Sequence, residues 1–124
     1  MRLLLDTHVY LLWLADDASL AEEARLAIAD TRSVVHVSAA SLWEASIKEA
    51  LGRLDLGGSD LAEEIAANGF VELPVTAAHA GAAAHLPPHH ADPFDRMLVA
   101  QARHEGLTLV TSDDRLSAYD VPLL

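Results

Sequence analysis

The chain has 124 residues, no cysteine, and 19 acidic against 8 basic side chains, a formal charge of −11 with the seven histidines counted neutral. These figures exclude a disulfide framework and thiolate metal sites. They also disfavour a broad basic face for nucleic acid, because an acidic surface repels phosphate and any chemistry on it needs a cation as intermediary.

An apolar fraction of 52% with six Gly and five Pro is that of a packed globular protein, and the length suits a single domain over residues 1–124. The opening MRLLLDTHVYLLWLA has the outline of a secretory leader, but Asp6 and His8 interrupt its apolar region and Asp16 and Asp17 follow it. The longest apolar stretch, residues 9–15, is far short of the ~20 residues a bilayer span needs. A soluble cytoplasmic protein is the expectation.

In chain order, short apolar runs at residues 3–5, 34–37, 70–73, 107–110 and 121–123 predict strands. Their near-continuous apolar character suits parallel strands buried on both faces. Helical stretches separate them. Trp43, Ile47, Ala50, Leu51 and Leu54 follow one helix face, and Gly52 with Gly57 and Gly58 closes that helix. Asp92 and Pro93 read as N-cap and first helical residue of a later helix that ends at Gly106. The fold class is α/β, with helices layered on a mainly parallel sheet.

Ligands of such sheets bind beyond the carboxyl ends of the strands. Asp6 and Asp113 follow the first and fourth runs, while Glu44 and Asp95 fall in first turns of helices, so all four acids are expected on one rim. Each also has a structural reading. Asp6 and Asp113 suit N-caps, Glu44 could complete a capping box with Ser41 and pair with Lys48, and Asp95 suits the positive end of a helix dipole. Four acids brought that close repel one another, and a divalent hard cation is the usual neutraliser. It would also activate water on a phosphodiester, so that no protein nucleophile is required.

His85, His89 and His90 crowd the segment before Asp92 and read as a polar loop; a His/Asp metallophosphohydrolase acting on a small phosphoester is the competing enzyme. A non-catalytic, receiver-like regulatory module is the competing non-enzyme, although the only lysine, Lys48, lies in a helix rather than after a late strand. Arg2, Arg53, Arg96, Arg103 and Arg115 are candidate phosphate contacts or ordinary surface residues. Trp13 and Trp43 read as core or partner-interface residues rather than base-stacking platforms.

LLLDTHVYLLWL, VSAASLWEASIKEALGRL, LPPHHADPFDRMLVAQA and LVTSDDRLSAY, in that order, resemble the acid-bearing segments of PIN-domain ribonucleases, specifically VapC-like toxins of type II toxin-antitoxin systems. The resemblance implies a three-layer α/β/α sandwich with a sheet of about five strands. It also implies a pocket of Asp6, Glu44, Asp95 and Asp113 for Mg(II) or Mn(II), with Asp6 and Asp95 as direct ligands and Glu44 and Asp113 binding directly or through water. Asp114 replaces Asp113 if the register slips by one residue. Thr7 and Thr111 adjoin these acids and either orient them or serve as cap and turn residues. RNA cleavage leaving 5′-phosphate and 3′-hydroxyl ends, homodimerisation, and neutralisation by a VapB-like antitoxin follow from the same resemblance. The antitoxin surfaces it suggests are the helix beginning near Val9 and the acidic segment 16–30.

Overall fold

A computed structural model describes residues 1–124. Four parallel strands, β1 (Arg2–Leu5), β2 (Val34–Ser38), β3 (Val71–Leu73) and β4 (Thr108–Val110), are ordered β3-β2-β1-β4. Strand β1 therefore lies between β2 and β4, with Leu5 paired to Val37 on one side and Val110 on the other. Leu3, Leu4 and Leu5 are fully buried, which explains an apolar run without alternation. The fifth predicted strand is a correction: residues 121–123 make only an isolated bridge, Leu123 to Leu109. Pro122 cannot donate to a ladder, and Asp120 and Pro122 are exposed, so the pairing stops at Pro122 and holds only through the bonds of Leu109 N–H to Pro122 O, Leu124 N–H to Leu109 O and Thr111 N–H to Leu124 O.

The helices are α1 (Thr7–Leu14), α2 (Glu22–Ala29), α3 (Ala39–Ala50), α4 (Leu61–Ala67), α5 (Ala77–Ala84) and α6 (Pro93–Glu105). One sheet face, through Leu3, Leu5, Val35 and Val37, packs with Val9, Tyr10, Ile28 and Ile65 of α1, α2 and α4. The other, through Leu4, Leu73 and Leu109, packs with Leu98, Val99 and Ala102 of α6. The result is a three-layer sandwich. Local chemistry fixes the helix ends that matter for the rim. Asp6 caps α1, Ser38 caps α3, and Asp92 caps α6 with Pro93 following. Gly106 closes α6 at φ 67°, where a β-carbon would be strained.

For α3 the structure excludes the core alternative for Trp43. The helix buries Ala40, Ser41, Glu44 and Ala45, while Trp43 is 65% and Leu51 61% exposed. Ser38, not Ser41, is its N-cap, so the capping box with Glu44 does not form. Trp43 instead lies edge-on to Phe94 at 5.5 Å. Trp13, by contrast, packs against Phe70 and donates to Asn68 Oδ1 at 3.1 Å.

Leu109→Ala, at a fully buried site in the middle of β4, is expected to cost ~2–5 kcal/mol of unfolding free energy. Trp43→Ser is expected to cost less than about 1 kcal/mol. Urea unfolding of the two variants checks the pair, and a larger loss for Trp43 would restore the core reading of that face.

Candidate active site

After β1 the chain goes to β2 on one side, whereas β4 returns on the other. A crevice opens where strand order reverses in this way. Asp6 stands at that point, with its backbone N–H donating to Val110 O across the β1–β4 pair at 3.0 Å. The cleft there has a volume of about 450 Å³, and Asp6, Glu44, Asp95 and Asp113 all line it. Asp92 is a fifth acid of the same cleft.

Asp6 is nearly buried, at 7% exposure, and its Oδ1 accepts from the Val9 N–H at 2.7 Å. It is both the cap of α1 and a wall of the cleft. Burial pushes its carboxyl above the ordinary value; the Thr111 side chain and the Val9 N–H pull the other way. Glu44 extends one oxygen, Oε2, to Lys48 Nζ at 2.8 Å. Its other oxygen, Oε1, is buried without any hydrogen-bond partner. A buried acceptor with no donor costs free energy until something meets it.

Asp95, in the first turn of α6, places Oδ2 2.8 Å from His90 Nε2. Burial raises its carboxyl, with the His90 hydrogen bond opposing and neighbouring Asp92 reinforcing. Asp113, beyond β4, accepts from Arg115 Nε at 3.0 Å and from its terminal nitrogen at 2.8 Å. That side-chain hydrogen bond, with lesser help, lowers its carboxyl to about 2. Asp114 is exposed and opens the 3-10 turn Asp114–Ala118. Thr7 lines the cleft, yet its hydroxyl hydrogen-bonds Ser41 Oγ at 2.9 Å rather than an acid. Thr111 Oγ1 accepts from the Asp113 N–H at 3.0 Å.

The three crowded histidines part company. His85 binds the carbonyl of Gly81 in its own helix, His89 is exposed beside Tyr119, and only His90 reaches the acids. There its Nε2 lies 3.7 Å from Asp113 Oδ2 as well as 2.8 Å from Asp95. His90 thus belongs to the acidic group it was read as merely preceding. The sequence signal was its position ahead of the Asp-Pro helix start, which turns the loop back over the first turn of α6. Of the candidate phosphate-binding arginines, Arg53 and Arg115 line the cleft together with Lys48. Arg2 is spent on Glu105 and Gly106 carbonyls, and Arg96 on loop carbonyls.

These groups fit a hard divalent cation. The donors are mainly carboxylate oxygens, as such ions require, Glu44 Oε1 is an unmet acceptor, and Asp6 and Asp95 carry charge that burial opposes. His90, Asp95 and Asp113 each bring one ligand atom within 4.8 Å of the others. A second group of that kind, His79, His104 and Glu105, is committed elsewhere. His79 Nδ1 accepts from the Thr76 N–H at 3.1 Å in the capping box of α5. Its proton is therefore on Nε2, facing Glu105 Oε2 at 3.1 Å. A metal on Nε2 would need that proton on Nδ1, where the Thr76 N–H already points.

Acids of opposite shift give opposite pH dependence in the metal-free protein. Asp95 holds its proton more tightly folded than unfolded, so its contribution falls as pH rises from the usual carboxylate range. Asp95→Asn is expected to raise the neutral-pH Tm, with the gain vanishing below about pH 4. Asp113, lowered to about 2, contributes stability that is present above the usual carboxylate value and lost as pH falls toward 2. Asp113→Asn is therefore expected to lower Tm at neutral pH and to match the native chain near pH 2. Thermal scans in chelator from pH 2 to 7 check both signs.

The PIN domain family matches residues 3–122, nearly the whole chain. A comparison with curated proteins finds no match. Among solved structures, VapBC2 from Rickettsia felis, bound to a DNA fragment from its promoter, aligns with a TM-score of 0.76 at 14% identity, covering 100% of this chain and 98% of that one. A toxin-antitoxin complex from Klebsiella pneumoniae gives 0.68 at 14% identity, over 98% and 94% of the two chains. VapC20 from Mycobacterium tuberculosis, a toxin that cleaves the sarcin-ricin loop, gives 0.65 at 22% identity, over 96% and 95%. At these identities the likeness is one of fold. With the match over residues 3–122 and an acidic cleft at the β1–β4 switch point, the chain belongs to the PIN domain family.

Proposed function

We propose that the chain is a divalent-metal-dependent endoribonuclease and the cytoplasmic toxin of a VapBC-type pair. The observation that carries this reading is the convergence of Asp6, Glu44, Asp95 and Asp113, from four separate segments, on one cleft that also holds the unmet Glu44 Oε1 atom. Asp6 and Asp95 would hold Mg(II) or Mn(II), with Glu44 and Asp113 contributing directly or through water. Such a cation, when bound, draws in a phosphodiester oxygen and makes water a better nucleophile at neutral pH.

The chain's own residues do the rest. Lys48 holds one Glu44 oxygen and leaves the other a buried acceptor without a donor. Arg53 and Arg115 stand at the cleft, where they meet flanking phosphates of an RNA strand and offset the acidic surface locally. No serine, threonine or cysteine nucleophile is needed. The solved toxin-antitoxin complexes of this fold support the toxin reading, and the toxin that cleaves the sarcin-ricin loop supports RNA as substrate.

The antitoxin reading has a surface to match. A groove of about 500 Å³ runs along α1 past Leu12, Leu14, Leu54, Leu56 and Leu61. It shares His8, Leu11 and Leu54 with the acidic cleft. A segment with apolar residues followed by a cationic one would fill the groove and place its charge among the acids. The exposed ridge of Trp43 and Leu51 offers apolar area for a homodimer.

Asp6→Asn, Glu44→Gln and Asp95→Asn are each expected to cut RNA cleavage by at least about 10²-fold without unfolding the chain, as chelator does to the native protein. Sequencing of 5′-phosphate RNA ends after brief expression of the native chain and of Asp6→Asn tests activity and reveals the target; identical end profiles would refute the reading. Leu14→Glu is expected to leave cleavage intact and to abolish inhibition by a small protein encoded beside the gene. A cleavage assay with and without that protein decides it.

A further inference from the structure

We propose that Arg96 and His90 form one positioning unit: Arg96 pins the loop between α5 and α6 so that the His90 imidazole stands between Asp95 and Asp113 and sets their spacing. The inference rests on reading the cleft as a divalent-cation site.

Arg96 follows Asp95 directly, yet its guanidinium turns away from the acids. One terminal nitrogen donates to Ala83 O at 2.9 Å and Leu86 O at 3.0 Å. The other donates to Pro87 O at 3.0 Å, with longer contacts of 3.4 Å to His90 O and to the Tyr119 hydroxyl. These partners are the frayed end of α5 and the backbone of the loop that follows. In a chain with 19 acidic side chains, an arginine wholly engaged by neutral oxygens is not arranged for a phosphate or a carboxylate. A planar fork with donors on both arms can span several carbonyls at once, which a single ammonium cannot.

The same loop is tied at its far end. The His90 N–H donates to the Tyr119 hydroxyl at 3.0 Å, and Asp92 Oδ1 caps α6 through the Phe94 and Asp95 N–H groups. His90 is thereby fixed at both sides of its backbone, and its side chain is 8% exposed. Its Nε2 lies 2.8 Å from Asp95 Oδ2 and 3.7 Å from Asp113 Oδ2. Asp95 sits on α6 and Asp113 beyond β4, with no direct link between them; without the imidazole, like charge would drive them apart. Groups that orient carboxylate ligands in this way typically change metal affinity by roughly 10–100-fold when removed.

The test uses the purified full chain, with Mn(II) binding followed by electron paramagnetic resonance and the His90 ring N–H followed by NMR in the metal-free protein. His90→Ala is expected to weaken Mn(II) binding by roughly 10–100-fold. His90→Gln, which keeps an N–H donor, is expected to recover a large part of the loss. Arg96→Lys should weaken binding as His90→Ala does, the double variant should be no weaker than His90→Ala alone, and the protected Nε2–H resonance of the native chain should disappear in Arg96→Lys while circular dichroism is unchanged.

Native-like Mn(II) affinity in His90→Ala would overturn the proposal. So would losses that multiply in the double variant, a His90→Gln variant as weak as His90→Ala, which would make the imidazole a direct ligand, or survival of the resonance in Arg96→Lys. Asp95→Asn separates the two levels. If it too leaves Mn(II) binding untouched, the cation reading of the cleft fails, and the resonance still decides whether Arg96 seats His90.

Discussion

The structure depends on the electrostatic strain of gathering carboxylates at the carboxyl edge of a sheet buried on both faces. Strand β1 is enclosed by β2, β4 and both helical layers, so Asp6 leaves it at a nearly buried point. Glu44, Asp92, Asp95 and Asp113 are brought to the same cleft by the helices and loops around it. Like charges in that space interact more strongly than they would in water. Each acid is held by a local partner: the start of α1 for Asp6, Lys48 for Glu44, His90 for Asp95, Arg115 for Asp113. These partners fix positions without emptying the site of acceptor capacity, since Glu44 Oε1 stays unmet. Position and residual charge together give the cleft the donor set that a hard divalent cation requires.

Much of this was legible in the sequence because strong local rules write it. Near-continuous apolar runs marked the four strands, and Asp-Pro with a terminal Gly marked α6. Acids placed just after strands marked the rim. Residues 121–123 look like a strand in composition, but Pro122 removes the donor that a ladder needs. Tertiary partnerships were harder. His90 and Arg96 owe their roles to a loop folding back on α6, and nothing in their spacing states that Arg96 meets carbonyls of residues 83–90.

The orientation of α3 has the most physical content. Its spacing offers two faces, a large apolar one through Trp43, Ile47 and Leu51, and a small polar one through Ala40, Ser41, Glu44 and Ala45. Burying the large face would yield more hydrophobic free energy, yet the helix buries the small one. Small residues let α3 approach both α1 and α6, and that approach brings Glu44 to the cleft that Asp6 and Asp95 line. Thr7 and Ser41 hydrogen-bond across the α1–α3 contact at 2.9 Å and secure the rotation.

That rotation turns the ridge of Trp43 and Leu51 to solvent, with Trp43 against Phe94 at the start of α6. On the other flank of the cleft, α1 leaves Leu11, Leu12 and Leu14 half-buried along a groove that opens into the same space. Apolar surface left uncovered in this way is ordinarily buried or bound. The placement of the carboxylates therefore determines more than the chemistry of the cleft. It also decides which apolar surfaces the chain cannot bury within itself.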